Sequence, residues 1–198
     1  TVVNSGGNKF VINGDTADKV IISARIEGKI NDKNGIGLFL VDNNQINNRS
    51  YNTIDGYRAA ELNFDNIDAE LLCEDDLALE CIIKANSAGA LALSAEAVGI
   101  MQVCFDLTLD YLKTRKQFGK SIGSFQSIQH RMVDMMLEIE QVRSAVMLAS
   151  STFETNSSTR DKNISAAKNL VGRVGKLIAE ESIQLHGGIA MTWEYSVA

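Results

Sequence analysis

Between Phe125 and Ala149 the apolar residues Phe125, Ile128, Met132, Met135, Ile139, Val142, Val146 and Ala149 recur at spacings that alternate three and four. That alternation is a heptad seam, and it commits the segment to a long helix packed along one stripe against neighbouring helices. A second seam of the same kind, Ile164, Ala167, Val171, Val174 and Ile178, follows and stops at His186-Gly187-Gly188. From Asp75 to about Gln117 the residues are mostly Ala, Leu, Met, Glu and Lys, which are good helix formers. A break at Asn86-Ser87-Ala88-Gly89 is left open, and Gly119 is expected to cap that helix. Helix limits of about Ser124–Phe153 and a start near Ile164 place Thr155 to Asp161 in a polar loop. Three long helices with short links pack as antiparallel neighbours, and their seams call for a fourth helix or another subunit.

Before Cys73 the period is different. Phe10-Val11-Ile12, Val20 to Ala24, Gly37 to Val41 and Ala60 to Phe64 are short runs enriched in β-branched and aromatic residues. Turn chemistry separates them, and Asn13-Gly14 suits a tight hairpin. The fold class expected is therefore α+β: an antiparallel β-domain over residues 1–72, a partial barrel or sandwich, then an up-down helical bundle over residues 73–198.

Composition narrows the function. A net charge of −6 argues against a nucleic-acid surface. No uninterrupted apolar run reaches about 18 residues, so no membrane span is expected. Cys73, Cys81 and Cys104 are odd in number, lack CxxC spacing and are joined by only His130 and His186, so neither a disulfide framework nor a metal site is expected. Reduced thiols fit a cytoplasmic protein. The chain opens on Thr1 with a strand-like pattern, which reads either as a fragment or as a chain whose leader has been removed.

Three places carry candidate chemistry. Tyr111 to Lys120, YLKTRKQFGK, reads either as a cationic helix end or as an anion clamp in which Arg115 offers a planar fork to a diphosphate. Gln184-Leu185-His186-Gly187-Gly188 reads either as a helix stop or as a site where paired glycines let a flat ligand approach the backbone. Glu96 interrupts an apolar helical run. It is either a paired structural acid, with Arg131 or Arg143 as partner, or a general base.

The segments YLKTRKQFGKSIGSFQSIQHRMVDM (Tyr111 to Met135) and QLHGGIAMTWEY (Gln184 to Tyr195), with NGDTADKVIISAR (Asn13 to Arg25) and GLFLVD (Gly37 to Asp42), resemble the acyl-CoA dehydrogenase family. The resemblance covers essentially the whole chain, as middle β-domain plus C-terminal bundle truncated at both ends. The Met191-Thr192-Trp193-Glu194 form is most similar to bacterial members, among them small subunits of the pimeloyl-CoA dehydrogenase type.

The resemblance implies α,β-dehydrogenation of an acyl-CoA by noncovalent FAD. It also implies transfer of electrons to an electron-transferring flavoprotein and assembly as a homo- or heterotetramer. It places Arg115, Gln117 and Phe118 at the FAD diphosphate across a subunit interface, Phe125 and Gln126 at a second FAD contact, and Gln184, Leu185, His186, Gly187 and Gly188 near the cofactor's ADP part. Phe10-Val11-Ile12 stands where the family has its flavin-shielding Trp-x-Thr/Ser, and Ser87 to Ala90 stands where it has a substrate-contacting Asp-x-x-Arg. Gly89 occupies the position of the catalytic Glu of some branches, and the commoner catalytic Glu falls beyond Ala198. The catalytic residue is thus unassigned, with Glu96 the candidate within the chain. The alternative reading is a noncatalytic or half-site subunit of a heterotetramer. An acyl-CoA oxidase would share the cofactor. Alone, this chain is expected to be inactive and to hold FAD weakly.

Overall fold

The structure, a computed structural model, describes residues 2–192 together with Tyr195 and Val197. Two compact units divide the chain, Thr1–Lys84 and Ala85–Ala198. Trp193 and Glu194, which carry part of the C-terminal resemblance, lie outside the described residues.

The first unit holds six strands: β1 (Val2–Ile12), β2 (Lys19–Arg25), β3 (Ile36–Asp42), β4 (Asn47–Asn52), β5 (Arg58–Asp68) and β6 (Glu70–Glu74). They make two antiparallel three-stranded sheets, ordered β1-β5-β4 and β2-β3-β6. Alternate residues of β3 point inward, so Phe39 and Val41 are buried with Ile22 against Ala60, Leu62, Phe64 and Ile67 of β5. One apolar core thus lies between the two sheets, the arrangement of a sandwich.

Asn13-Gly14 turns the chain but closes no hairpin. The register pairs Ile12 with Ala59 and Val20 with Val41, so this turn carries the chain from one sheet to the other. Asn13 adopts φ 56°, and its N–H donates to the Arg58 carbonyl at 2.8 Å. The buried Asn43 amide holds the turn by donating to the carbonyls of Gly14 and Ala17, at 2.9 and 2.7 Å. Turn chemistry can be read locally, whereas the partner strand is set by burial some 45 residues away.

α1 runs from Asp75 to Thr114, unbroken through residues 86–89. An isolated glycine such as Gly89 costs a helix only about 1 kcal/mol relative to Ala, too little to interrupt one of this length. α1 bears on the membrane expectation without overturning it. One 18-residue window within it has a mean hydropathy of 1.6, long and apolar enough to cross a membrane by length and composition. Glu96 ends any uninterrupted apolar run, but an averaged window absorbs it. Only 17% of that window is buried within the chain.

In the second unit α2 (Gln126–Ser151) and α3 (Ser157–His186) pack side by side. The α2 seam holds: Met132, Met135, Ile139, Val142, Val146 and Ala149 are all buried. They meet Ile164, Ala167, Val171, Val174 and Ile178 of α3 and Val98, Met101 and Leu112 of α1 in one core. Arg131 and Glu181 tie α2 to α3 with a 2.6 Å ion pair. The fold class is therefore α+β, an antiparallel β-domain followed by a helical bundle.

α3 begins earlier than its apolar pattern, because Asn156 caps it. The Asn156 side-chain oxygen accepts the N–H of Thr159 at 3.0 Å. The Ser- and Thr-rich segment expected to be a loop is thus the first helical turn. Asn156→Ala should lower stability by about 1 kcal/mol, the usual value of such a cap, seen as a fall in urea midpoint with an unchanged m-value.

Candidate functional site

The end of α1, the start of α2 and the end of α3 lie at one end of the bundle, where Tyr111 of α1 stacks on His186 of α3 with ring centroids 4.6 Å apart. α1 stops at Thr114, whose hydroxyl turns back onto the carbonyls of Asp110 and Tyr111. Gly119 does not cap it, contrary to the sequence expectation. Instead β7 (Lys116–Gln117) and β8 (Lys120–Ser121) form a hairpin. Its two turn residues, Phe118 and Gly119, have φ of 53° and 79°. Two successive positive φ values match the twist of a tight hairpin, and a glycine in second place was the available sequence signal.

Phe118 is the unusual member. A bulky residue in the left-handed region costs roughly 1–2 kcal/mol, and its ring is 87% exposed. Its ring contact is edge-on to Phe125, 6.2 Å between centroids. Lys120 Nζ lies 4.1 Å over the centroid of the Phe125 ring. Strain held at an exposed aromatic, with so little intrachain packing to offset it, points to use outside the chain.

Arg115 precedes this hairpin with its backbone fixed on both sides. Its N–H donates to the Tyr111 carbonyl at 2.8 Å, and its carbonyl accepts from the Ile122 N–H at 2.9 Å. The side chain is exposed and has no ion-pair partner among the described residues. Lys116, Gln117 and Lys120 are exposed beside it. Phe125 stands at the N-cap position of α2 without a capping side-chain bond, and Gln126 follows it, exposed. The uncapped start of a helix adds partial positive charge to this cationic rim.

Gly123 sets how closely the loop before α2 approaches α1. A Cβ there would meet the Leu112 carbonyl oxygen at 2.9 Å. Next to it a cavity of about 340 Å³ is lined largely by apolar atoms of Leu109, Leu112, Ile128 and Met132, with Gln129 and Lys113 at its wall. Gly123→Ala should push this loop off α1 and lower the melting temperature by several degrees, since the clash is with backbone and overpacking costs about 1–3 kcal/mol.

The five candidates at the end of α3 divide. Leu185 and His186 are buried, whereas Gln184, Gly187 and Gly188 are exposed. Gly187 has φ 68° and ends the helix. A Cβ at either glycine would meet nothing within 4 Å, so the backbone there faces open space. The glycine pair and the Arg115 hairpin thus belong to one end of the bundle, joined through the Tyr111–His186 stack. Tyr111 lies one turn before Arg115, a spacing visible in the sequence.

Glu96 is not enclosed by this chain alone. Its side chain is exposed, with Ser94 and Val98 of the same stretch buried. Arg131 pairs with Glu181, and Arg143 with Glu140 and the Gln102 amide oxygen. Ser87 donates to Asp161 at 3.0 Å. The Arg160 guanidinium beside Asp161, 2.9 Å away, holds that carboxyl below the usual carboxylate range. Among the described residues no three His, Cys, Asp or Glu side chains form a metal-holding group.

Residues 79–198 match the family described as acyl-CoA dehydrogenase, C-terminal domain. Acyl-CoA dehydrogenase IpdE2 of Mycolicibacterium smegmatis is 38% identical over 108 residues, covering 54% of this chain and 33% of that protein. The structure of butyryl-CoA dehydrogenase from Megasphaera elsdenii superimposes with a TM-score of 0.88 at 26% identity, over 98% of this chain and 52% of that one. The FAD complex of PigA superimposes with a TM-score of 0.85, also at 26% identity, over 98% of this chain and 52% of that one. The chain spans between about a third and about half of the length of the curated relatives it matches.

Proposed function

The chain belongs to the acyl-CoA dehydrogenase family, and from that premise we propose that this end of the bundle forms part of an FAD site. The enzyme would carry out α,β-dehydrogenation of an acyl-CoA thioester and pass the electrons to an electron-transferring flavoprotein. The observation that carries the reading is the exposed Arg115, held by its backbone on both sides beside the exposed Phe118. The donor set suits FAD: guanidinium, ammonium and amide groups for a diphosphate, exposed aromatic carbon for a flat ring, and a glycine pair that admits close approach.

When bound, FAD supplies the acceptor for a hydride from the acyl chain. Arg115 would bind the diphosphate through its planar fork, with Gln117 and Gln126 as amide donors. Phe118 and Phe125 would exclude water from one side. Gly187 and Gly188 would let the backbone touch the ADP part, with Gln184 alongside. Leu185 and His186 would act from inside the bundle. No carboxylate of this chain is assigned the α-proton. The exposed apolar side chains of α1 and α2, such as Leu93, Ile100, Met136 and Met147, suit assembly as a tetramer. A cytoplasmic location accords with three free cysteines.

A second reading, a half-site subunit of a heterotetramer, is favoured by one turn of α1. Ser87 is engaged with Asp161, and Gly89 faces open space, so this turn of α1 itself contributes neither carboxylate nor guanidinium, and the charged groups beside it, Asp161 and Arg160, belong to α3. The test is dye-linked acyl-CoA oxidation and flavin content of the intact protein, with and without a partner subunit. Stoichiometric flavin with turnover by the protein alone supports the enzyme. Flavin and turnover only with the partner support the half-site. Absence of flavin in both arms refutes the FAD reading.

A further inference from the structure

We infer that Tyr111 and His186 are positioning residues that set the Arg115 hairpin and the Gly187-Gly188 backbone against each other, a role that rests on the FAD reading above. The glycine pair has no side chains to anchor it, and open space lies in front of both positions. Its place is therefore dictated by the residues that flank it, and His186 comes immediately before. That side chain is 4% exposed and does not reach outward. Its Nδ1 lies 2.7 Å from the Ser182 carbonyl, one turn back along α3, so Nδ1 carries the proton and donates. Among the described residues Nε2 is buried without a hydrogen-bond partner, so within them the ring is held by this one bond and by stacking.

The stacking partner is Tyr111, with planes 28° apart. Tyr195 closes the cluster, 5.1 Å from His186 and 6.2 Å from Tyr111 between centroids. Tyr111 in turn fixes Arg115, because its carbonyl accepts the Arg115 N–H, and the Arg115 carbonyl accepts the first N–H beyond β8. A continuous path of packed and hydrogen-bonded groups thus runs from the glycine pair through His186 and Tyr111 to the hairpin. Both rings act through other residues and need touch no ligand.

The experiment is a double-mutant cycle on FAD affinity in the intact oligomer, with Tyr111→Leu, His186→Ala and the double variant, together with His186→Phe. Each single change should raise the FAD Kd about tenfold, and the double should cost little more than the worse single, since coupled positions are not additive. His186→Phe keeps a ring in the stack and should restore most of the affinity although it cannot bond the Ser182 carbonyl. A merely structural role would lower the apo melting temperature and leave FAD affinity near wild type, and that result overturns the inference. Additive losses overturn it as well. If His186→Ala fails to fold, the FAD Kd of Tyr111→Leu decides, and a wild-type value refutes the role. If the wild-type protein binds no FAD, the cofactor reading itself has failed.

Discussion

Arg115→Ala in the intact protein should weaken the proposed FAD binding by about tenfold or more and leave apo-protein stability nearly unchanged. A cation in the last turn of a helix gains only some tenths of a kcal/mol from the helix dipole when exposed. A guanidinium paired with a diphosphate makes charge-assisted hydrogen bonds worth roughly 1.5–3 kcal/mol each. Since about 1.4 kcal/mol is a factor of ten in affinity, losing one such bond accounts for the expected change. The backbone bonds that hold this position survive the substitution, because they run from the Arg115 N–H to Tyr111 and from Ile122 to the Arg115 carbonyl. Arg115→Lys should recover only part of the affinity, an ammonium being unable to present a planar fork. The measurement is flavin titration and apo melting for the three proteins. Wild-type affinity in Arg115→Ala with a lowered apo melting temperature would reduce Arg115 to a helix-end cation.

What the sequence could reveal followed the range of the physical signal. Apolar periodicity is local and redundant, so every inward position expected for α3 from Ile164 to Ile178 is buried, and α2 matches from Met132 onward. The hairpin of residues 116–121 was hidden because two-residue strands carry no periodicity, and the only trace was Phe118-Gly119. β4 was hidden because Asn47 to Asn52 is mostly polar with every position exposed, and its strand state comes from pairing with β5. Glu96 shows the limit of that signal within one chain. An acid amid apolar residues signals burial only if those residues are themselves covered, and Leu93 and Ile100 are 57% and 58% exposed. At the candidate site, residue types were legible and their directions were not. Leu185 and His186 belong to the same five-residue motif as Gln184 and the glycines, yet they point into the bundle.

The heptad seam of α2 gives the largest stability effect expected in this molecule. Ile139 is 2% exposed and sits in a core that also takes Met135, Val142, Val174 and Ile178. Removing three carbons there forfeits their transfer free energy and leaves a cavity that long, mutually packed helices cannot readily close. Ile139→Ala should therefore cost about 2–5 kcal/mol, a large part of the stability of a typical domain. Leu137 lies two positions away on the same helix but is 53% exposed, so Leu137→Ala should cost under about 1 kcal/mol in this chain alone. Denaturant unfolding of the two variants supplies the comparison, with midpoints well apart and equal m-values. The same pair of measurements on the intact oligomer reads the proposed assembly. Leu137→Ala should become markedly more destabilising there if another subunit covers that face, whereas Ile139→Ala should change little, because its surroundings are already complete within one chain. Equal small effects of Leu137→Ala in both settings would leave that part of α2 uncovered and count against assembly through this face.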